Sequence, residues 1–115
     1  MAFSAPDLEI APEELAERLA RGEVELVDVR EPYEWDAGRI EGSRHIELER
    51  LASQAETIDR GRPVVFSCRL GARSALAAQA FRSAGWDAWS LQGGLTLWHH
   101  QGLPIVPEGG YVADH

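Results

Sequence analysis

Residues Val64 to Gly85 read VVFSCRLGARSALAAQAFRSAG, and this stretch decides the fold. Behind Pro63, the residues Val64, Val65 and Phe66 form an apolar run of β-branched and aromatic side chains. Such a run fits a strand buried on both faces of a parallel sheet. Cys68 then stands at the strand's carboxyl end. From Ala72 or Arg73 the chain turns helical, with Leu76, Ala77, Ala80, Phe81 and Ala84 at helical spacing. Gly85 sits where a left-handed C-terminal cap belongs. Strand, tight loop and helix N-terminus together make an anion site, because unpaired backbone N–H groups point into the loop and the helix dipole adds partial positive charge. Arg69 and Arg73 bring two full charges to the same place.

A free cysteine, with a pKa of about 8.5, is only ~3% thiolate at pH 7, and reactive cysteines ionise in surroundings of this kind. The competing reading of a lone cysteine is a small buried hydrophobe. A structural cysteine, however, has no need of two arginines and a glycine within five residues. Guanidinium groups beside a merely buried thiol would cost desolvation energy. Cys68 is therefore read as the reactive residue of the chain.

Composition bounds the rest. The 115 residues amount to one domain, and 44% hydrophobic residues with four tryptophans suffice for a single core. The domain is expected to span residues 1–106, with PEGGYVADH at 107–115 as a flexible end in which His115 is free. A single cysteine excludes an internal disulfide, and no apolar run approaches the ~20 residues of a membrane span. The start MAFSAPDLEIAPEE has neither the basic nor the apolar part of a secretion signal, so a cytoplasmic location is expected. A net charge of −8 argues against nucleic acid or an anionic membrane as partner. From Arg60 to Trp86, however, there are five arginines and no carboxylate, so the loop lies in the one basic region. A small anionic molecule is drawn there.

Taken in order, Asp7 to Ile10 reads as a short edge strand. Pro12, Glu13 and Glu14 start a helix with Leu15 and Leu19 as its buried stripe, and Gly22 ends it. Val24 to Val29 reads as a second buried strand, delivering Asp28, Arg30 and Glu31 at the functional edge of an open parallel sheet. These three are read as a structural ion-pair set, with Asp28 or Glu31 orienting an arginine near the site. Glu31 to Ala37 is expected to form a helical turn stopped by Gly38, with Trp35 in the core. A short strand follows near Arg44 to Ile46, then a polar helix from about Glu49 to Thr57. Trp86 to Ser90 reads as the last strand, and Gly93 and Gly94 open a helix through Leu95, Leu97 and Trp98. His99 and His100 point about 100° apart on that helix and lack a partner at i+4, so no metal site is expected.

Three segments in order resemble the rhodanese (thiosulfate sulfurtransferase) family. They are ELVDVREPYEWDAGRIEGS (Glu25 to Ser43), CRLGARS (Cys68 to Ser74) and LQGGLTLWHHQGLPI (Leu91 to Ile105). The resemblance implies a three-layer α/β/α fold with a five-stranded parallel sheet in the order 3-2-4-5-1, which sets Val24–Val29 beside Val64–Ser67. It further implies that Cys68 carries a sulfane sulfur as a persulfide, and that Arg69, Leu70, Gly71, Ala72 and Arg73 cradle the outer sulfur and the anionic donor. Two places depart from the family pattern: GRIEGS (Gly38 to Ser43) stands where members usually read GHIPGA, and HIE (His45 to Glu47) where they carry NIP. His45 takes the position of a structural asparagine and is read as packed.

The function so implied is sulfur transfer from thiosulfate or a similar donor to a thiol or cyanide, without cofactor or metal. One alternative is a module that carries the persulfide to a sulfur-accepting partner protein. Another is a cysteine phosphatase or arsenate reductase, but those enzymes space the loop C-x5-R, whereas Cys68 to Arg73 is C-x4-R. Within the superfamily the shorter ring goes with sulfur.

Overall fold

The computed structural model describes residues 7–115. Five strands alternate with five α-helices: β1 (Glu9–Ile10), α1 (Pro12–Ala20), β2 (Glu25–Asp28), α2 (Pro32–Ala37), β3 (Arg44–His45), α3 (Leu51–Gln54), β4 (Val64–Ser67), α4 (Ala72–Ser83), β5 (Ala88–Leu91) and α5 (Gly94–His100). The strands form one sheet in the order β1-β5-β4-β2-β3, with every pairing parallel. This is the expected order, read from the other edge. β4 lies at the centre, and its register sets Phe66 beside Val27 and Ser67 beside Asp28.

The apolar run of β4 is explained by two cores, one on each face of the sheet. Val64 and Phe66 enter the first, with Val27, Ala77, Ala78 and Phe81, while Val65 enters the second, with Leu15, Leu26, Leu95 and Trp98. All three β4 side chains are fully buried. Alternating side chains therefore need no polar partner on either face, and helices cover both. The result is the three-layer α/β/α arrangement.

Local chemistry sets most helix boundaries as expected. Pro12 opens α1 with Glu13 and Glu14 in its first turn, and Glu31 closes a capping box on Glu34 at the start of α2. Other expectations differ. Leu76 is 55% exposed, because Ser74 faces Cys68 and so fixes the rotation of α4, whose buried face becomes Ser74, Ala77, Ala78 and Phe81. The helix expected over 49–57 is broken into 3₁₀ turns on either side of α3. There the Ser53 and Thr57 hydroxyls donate to carbonyls three residues back, competing with the regular ladder. β5 begins two residues later than expected, since Trp86 turns its ring onto Phe81 at 4.9 Å and its N–H bonds the Phe81 carbonyl.

Residues 107–115, expected as a flexible end, are instead laid against α2. The Tyr111 N–H donates to the Ala37 carbonyl at 2.9 Å, the Tyr33 hydroxyl donates to the Asp114 carbonyl at 3.1 Å, and Ala113 is buried. Gly110, read as a sign of flexibility, instead permits close backbone docking against Ala37. Among the described residues no helix is long and apolar enough to cross a membrane.

Candidate functional site

The turn from β4 into α4 depends on Gly71, whose φ of 113° lies where side-chain-bearing residues are strained. Its N–H is thereby aimed at Cys68 Sγ, at 3.1 Å, and the Ser74 N–H reaches the same sulfur at 3.4 Å. The loop carbonyls are turned the other way. Those of Cys68 and Arg69 accept the Leu95 and Thr96 N–H groups at 2.9 and 3.0 Å, so the unpaired amides at the start of α5 hold the loop inside out. Gly94 makes this approach possible, because a Cβ there would fall on the Cys68 and Arg69 carbonyl oxygens.

Cys68 is buried, and its thiol lies 3.4 Å from the Ser74 hydroxyl, which pairs in turn with Ser90 Oγ at 2.7 Å. A hydroxyl both donates and accepts, so Ser74 accepts from the thiol while it donates to the Gly71 carbonyl at 3.2 Å. Beside the sulfur is a cavity of about 110 Å³ lined by Cys68, Arg69, Leu70, Ala72, Arg73 and His115. Wider clefts of about 640 and 500 Å³ elsewhere contain neither cysteine nor histidine. Size is therefore a poorer guide here than chemistry. Of these three, the small cavity is the one lined by a nucleophile, and two arginines line it with Cys68.

Arg73 is held by a partner the sequence analysis missed. Its Nη1 and Nη2 donate to Glu34 Oε1 and Oε2 at 2.8 and 3.0 Å, with Glu34 fully buried. Burial pushes the Glu34 carboxyl up, but the Arg73 hydrogen bonds, the Glu31 N–H and the Arg73 and His115 charges hold it below the ordinary carboxylate value. The Glu34 hydrogen bond likewise raises Arg73, against the opposing effect of burial.

The expected structural ion pair is present, and the arginine that Asp28 orients is Arg30 rather than one of the Cys68 loop. Asp28 pairs with Arg30 at 2.7 Å in a fully buried ion pair, and Arg30 also donates to the Gly38 carbonyl at 2.7 Å. The pair thus ties the end of α2 to β2. Glu31 likewise does not touch the site; it caps α2 and so positions Glu34. His45 is packed: its Nε2–H donates to the Arg30 carbonyl at 2.8 Å, and its ring stacks on Trp35. His115, expected to be free, lines the cavity, and Arg69 donates to Asp114 at 3.2 Å. Glu34 was legible as the N3 partner of a capping box, and Ser74 as the first-turn residue after the loop. Nothing in the local sequence pointed to Ser90, Asp114 or His115.

Comparison with known proteins agrees with this architecture. The family model described as "Rhodanese-like domain" matches residues 11–101. A sulfurtransferase of Allochromatium vinosum is 39% identical over 104 residues, spanning 88% of this chain and 97% of that relative. A thiosulfate sulfurtransferase of Pseudomonas aeruginosa is 39% identical over 90 residues, spanning 77% of this chain and 81% of that relative. Among solved structures, a rhodanese-related protein of Thermoplasma volcanium superposes with a TM-score of 0.79 at 28% identity, covering 85% of this chain and 96% of that one. With sequence and fold in agreement, the chain belongs to the rhodanese-like domain family.

Proposed function

We propose that this protein is a sulfurtransferase that moves a sulfane sulfur from thiosulfate or a similar small anionic donor to a thiol or cyanide, through a persulfide on Cys68. The observation that carries this reading is the six-residue loop around Cys68, with two N–H groups on the sulfur and two arginines lining a cavity of about 110 Å³. That space suits a donor of a few heavy atoms. In the first step the Cys68 thiolate attacks the outer sulfur of thiosulfate, forming the S–S bond of the persulfide anion while the old S–S bond breaks and sulfite leaves with the electron pair. Arg69, Arg73 and the loop amides stabilise the charge on the donor and on the leaving sulfite. In the second step cyanide or a thiolate attacks the persulfide's outer sulfur, giving thiocyanate or a new persulfide and returning the Cys68 thiolate. No general base is needed, because each nucleophile arrives as an anion. A cytoplasmic setting would keep the lone thiol reduced.

A second reading, delivery of sulfur to a partner protein, is favoured by Leu70, which lines the cavity yet is 58% exposed. An apolar side chain at that position suits a macromolecular acceptor better than cyanide. The C-x4-R spacing weighs against phosphatase chemistry. A panel of donors and acceptors read by intact mass tests the proposal. Thiosulfate should add the mass of one sulfur atom at Cys68, and cyanide should remove it as thiocyanate. If no donor on the panel modifies Cys68, sulfur transfer is excluded as its function.

A further inference from the structure

The rhodanese-like match ends at residue 101, yet the cavity beside Cys68 is walled by His115. The chain reaches that position through close backbone contacts. Arg39 and Val106 form an antiparallel bridge with hydrogen bonds of 2.7 and 2.8 Å, and the Tyr111 N–H bonds Ala37. A Cβ on Gly38 would stand 2.5 Å from the Tyr111 carbonyl oxygen, and one on Gly110 would stand 3.0 Å from the Ala37 oxygen. The segment is therefore docked where a side chain could not fit. Tyr33 then holds the Asp114 carbonyl, and the Asp114 carboxylate accepts from Arg69 Nη2 at 3.2 Å.

We propose that this strap is a specificity element of the sulfur site, with His115 limiting the size of the molecule that reaches Cys68 and Asp114 acting as a built-in anion that competes for Arg69. The inference rests on the sulfur-transfer reading for its substrate class. A dianionic donor such as thiosulfate must exchange with Asp114 at the guanidinium. A neutral or singly charged donor, such as a low-molecular-weight persulfide, meets less opposition. Asp114 is almost fully exposed, so the competition is a modest, salt-dependent selection rather than a block. His115 acts by bulk alone in this scheme. Its charged and titratable surroundings are Cys68, Arg69, Arg73, Glu34 and Asp114.

Alkylation of Cys68 in the full chain tests the strap without requiring sulfur transfer. Ratios of two reagents at one pH cancel any change in thiolate fraction, since both react with the same thiolate. Asp114→Asn should raise the rate with iodoacetate relative to iodoacetamide about two- to fivefold at low salt, and the gain should shrink as salt rises. His115→Ala should raise the rate with bulky N-ethylmaleimide relative to iodoacetamide. Gly38→Ala, which substitutes no pocket residue but obstructs docking at Tyr111, should change both ratios together. Unchanged ratios in all three variants overturn the inference, because a merely structural strap would alter all reagents alike. If the ratios change but no donor forms a persulfide, the strap's role stands and the sulfur-transfer reading falls.

Discussion

Arg73 and Glu34 meet in a two-pronged ion pair, 2.8 and 3.0 Å between nitrogen and oxygen, which ties the first turn of α4 to the first turn of α2. Arg73 belongs to the Cys68 loop, whereas Glu34 belongs to a helix whose phase is set by a capping box. The pair thus transmits the local sequence rule at Glu31 to the geometry around Cys68. Glu34→Gln keeps the size and removes the charge, leaving a largely buried guanidinium unpaired. Removing one partner of a buried pair costs about 3–5 kcal/mol, and the 18% exposure of the Arg73 side chain puts the expected loss near the lower figure. Urea denaturation measures it, and a loss below that of an ordinary surface substitution would show that the pair does not hold the loop.

The same pair gives stability a signed dependence on acid. The folded value of Glu34 lies below its unfolded value, so the unfolded chain takes up the proton first as pH falls. The contribution is complete well above the ordinary value of about 4.5 and is lost as pH drops through the depressed folded value. Denaturation midpoints followed from neutral to about pH 3 should therefore fall more steeply in wild type than in Glu34→Gln. Parallel curves would assign the acid sensitivity to other carboxylates.

Cys68→Ser should abolish persulfide formation and turnover while costing less than about 1 kcal/mol of stability. A serine hydroxyl can accept from the same Gly71 and Ser74 N–H groups, so nothing buried is left unsatisfied. Intact mass after thiosulfate, together with a melting curve, checks both halves. Residual turnover at a substantial fraction of wild type would remove Cys68 from the mechanism.

The strand, the loop and most helix boundaries were legible because each rests on neighbouring residues: the apolar run at Val64, the glycine at the turn, Pro12 at the start of α1, and the glycines after helix ends. What was not legible depends on contacts between distant segments. Leu76 carries an apolar side chain in a helical pattern, yet the phase of α4 is set by the Ser74–Cys68 contact, and so Leu76 faces solvent. Asp28 carries a carboxylate like Glu34 and stands beside Ser67 in the sheet, but the buried Arg30 takes it. The docking of residues 107–115 depends on Gly38 meeting Tyr111 across more than seventy residues, a contact that composition does not carry.

Gly94 has no functional atom but bears directly on the loop. It sits at φ 61°, and its missing side chain lets the Leu95 and Thr96 N–H groups reach the Cys68 and Arg69 carbonyls. Gly94→Ala should lose at least the roughly 1–2 kcal/mol that a side chain costs in left-handed backbone, and the contact with the two oxygens adds to it. Activity should fall more than stability predicts, because displacement of the loop misaims the amides at Sγ. Single-turnover persulfide formation, measured well below the melting temperature, separates the two effects; an unchanged rate would mean that the loop keeps its shape without α5.

The two loop arginines should act on different steps, because one is anchored and the other is held by an exposed carboxylate. Arg73 is fixed by buried Glu34, so Arg73→Ala should both destabilise the fold and slow persulfide formation. Among the described residues Arg69 pairs with Asp114, whose side chain is 97% exposed, and a donor anion can displace that partner. Arg69→Ala should raise the apparent KM for thiosulfate, remove much of the salt dependence of that step, and leave transfer from a preformed persulfide nearly unchanged, since cyanide attacks the outer sulfur without needing an oxyanion site. Asp114→Asn should shift the thiosulfate KM the opposite way, because it frees the same guanidinium. Half-reactions run separately on the variants across ionic strength decide the matter. A thiosulfate step untouched by Arg69→Ala would mean that the donor has no oxyanion for Arg69 to hold, making a persulfide the better donor class.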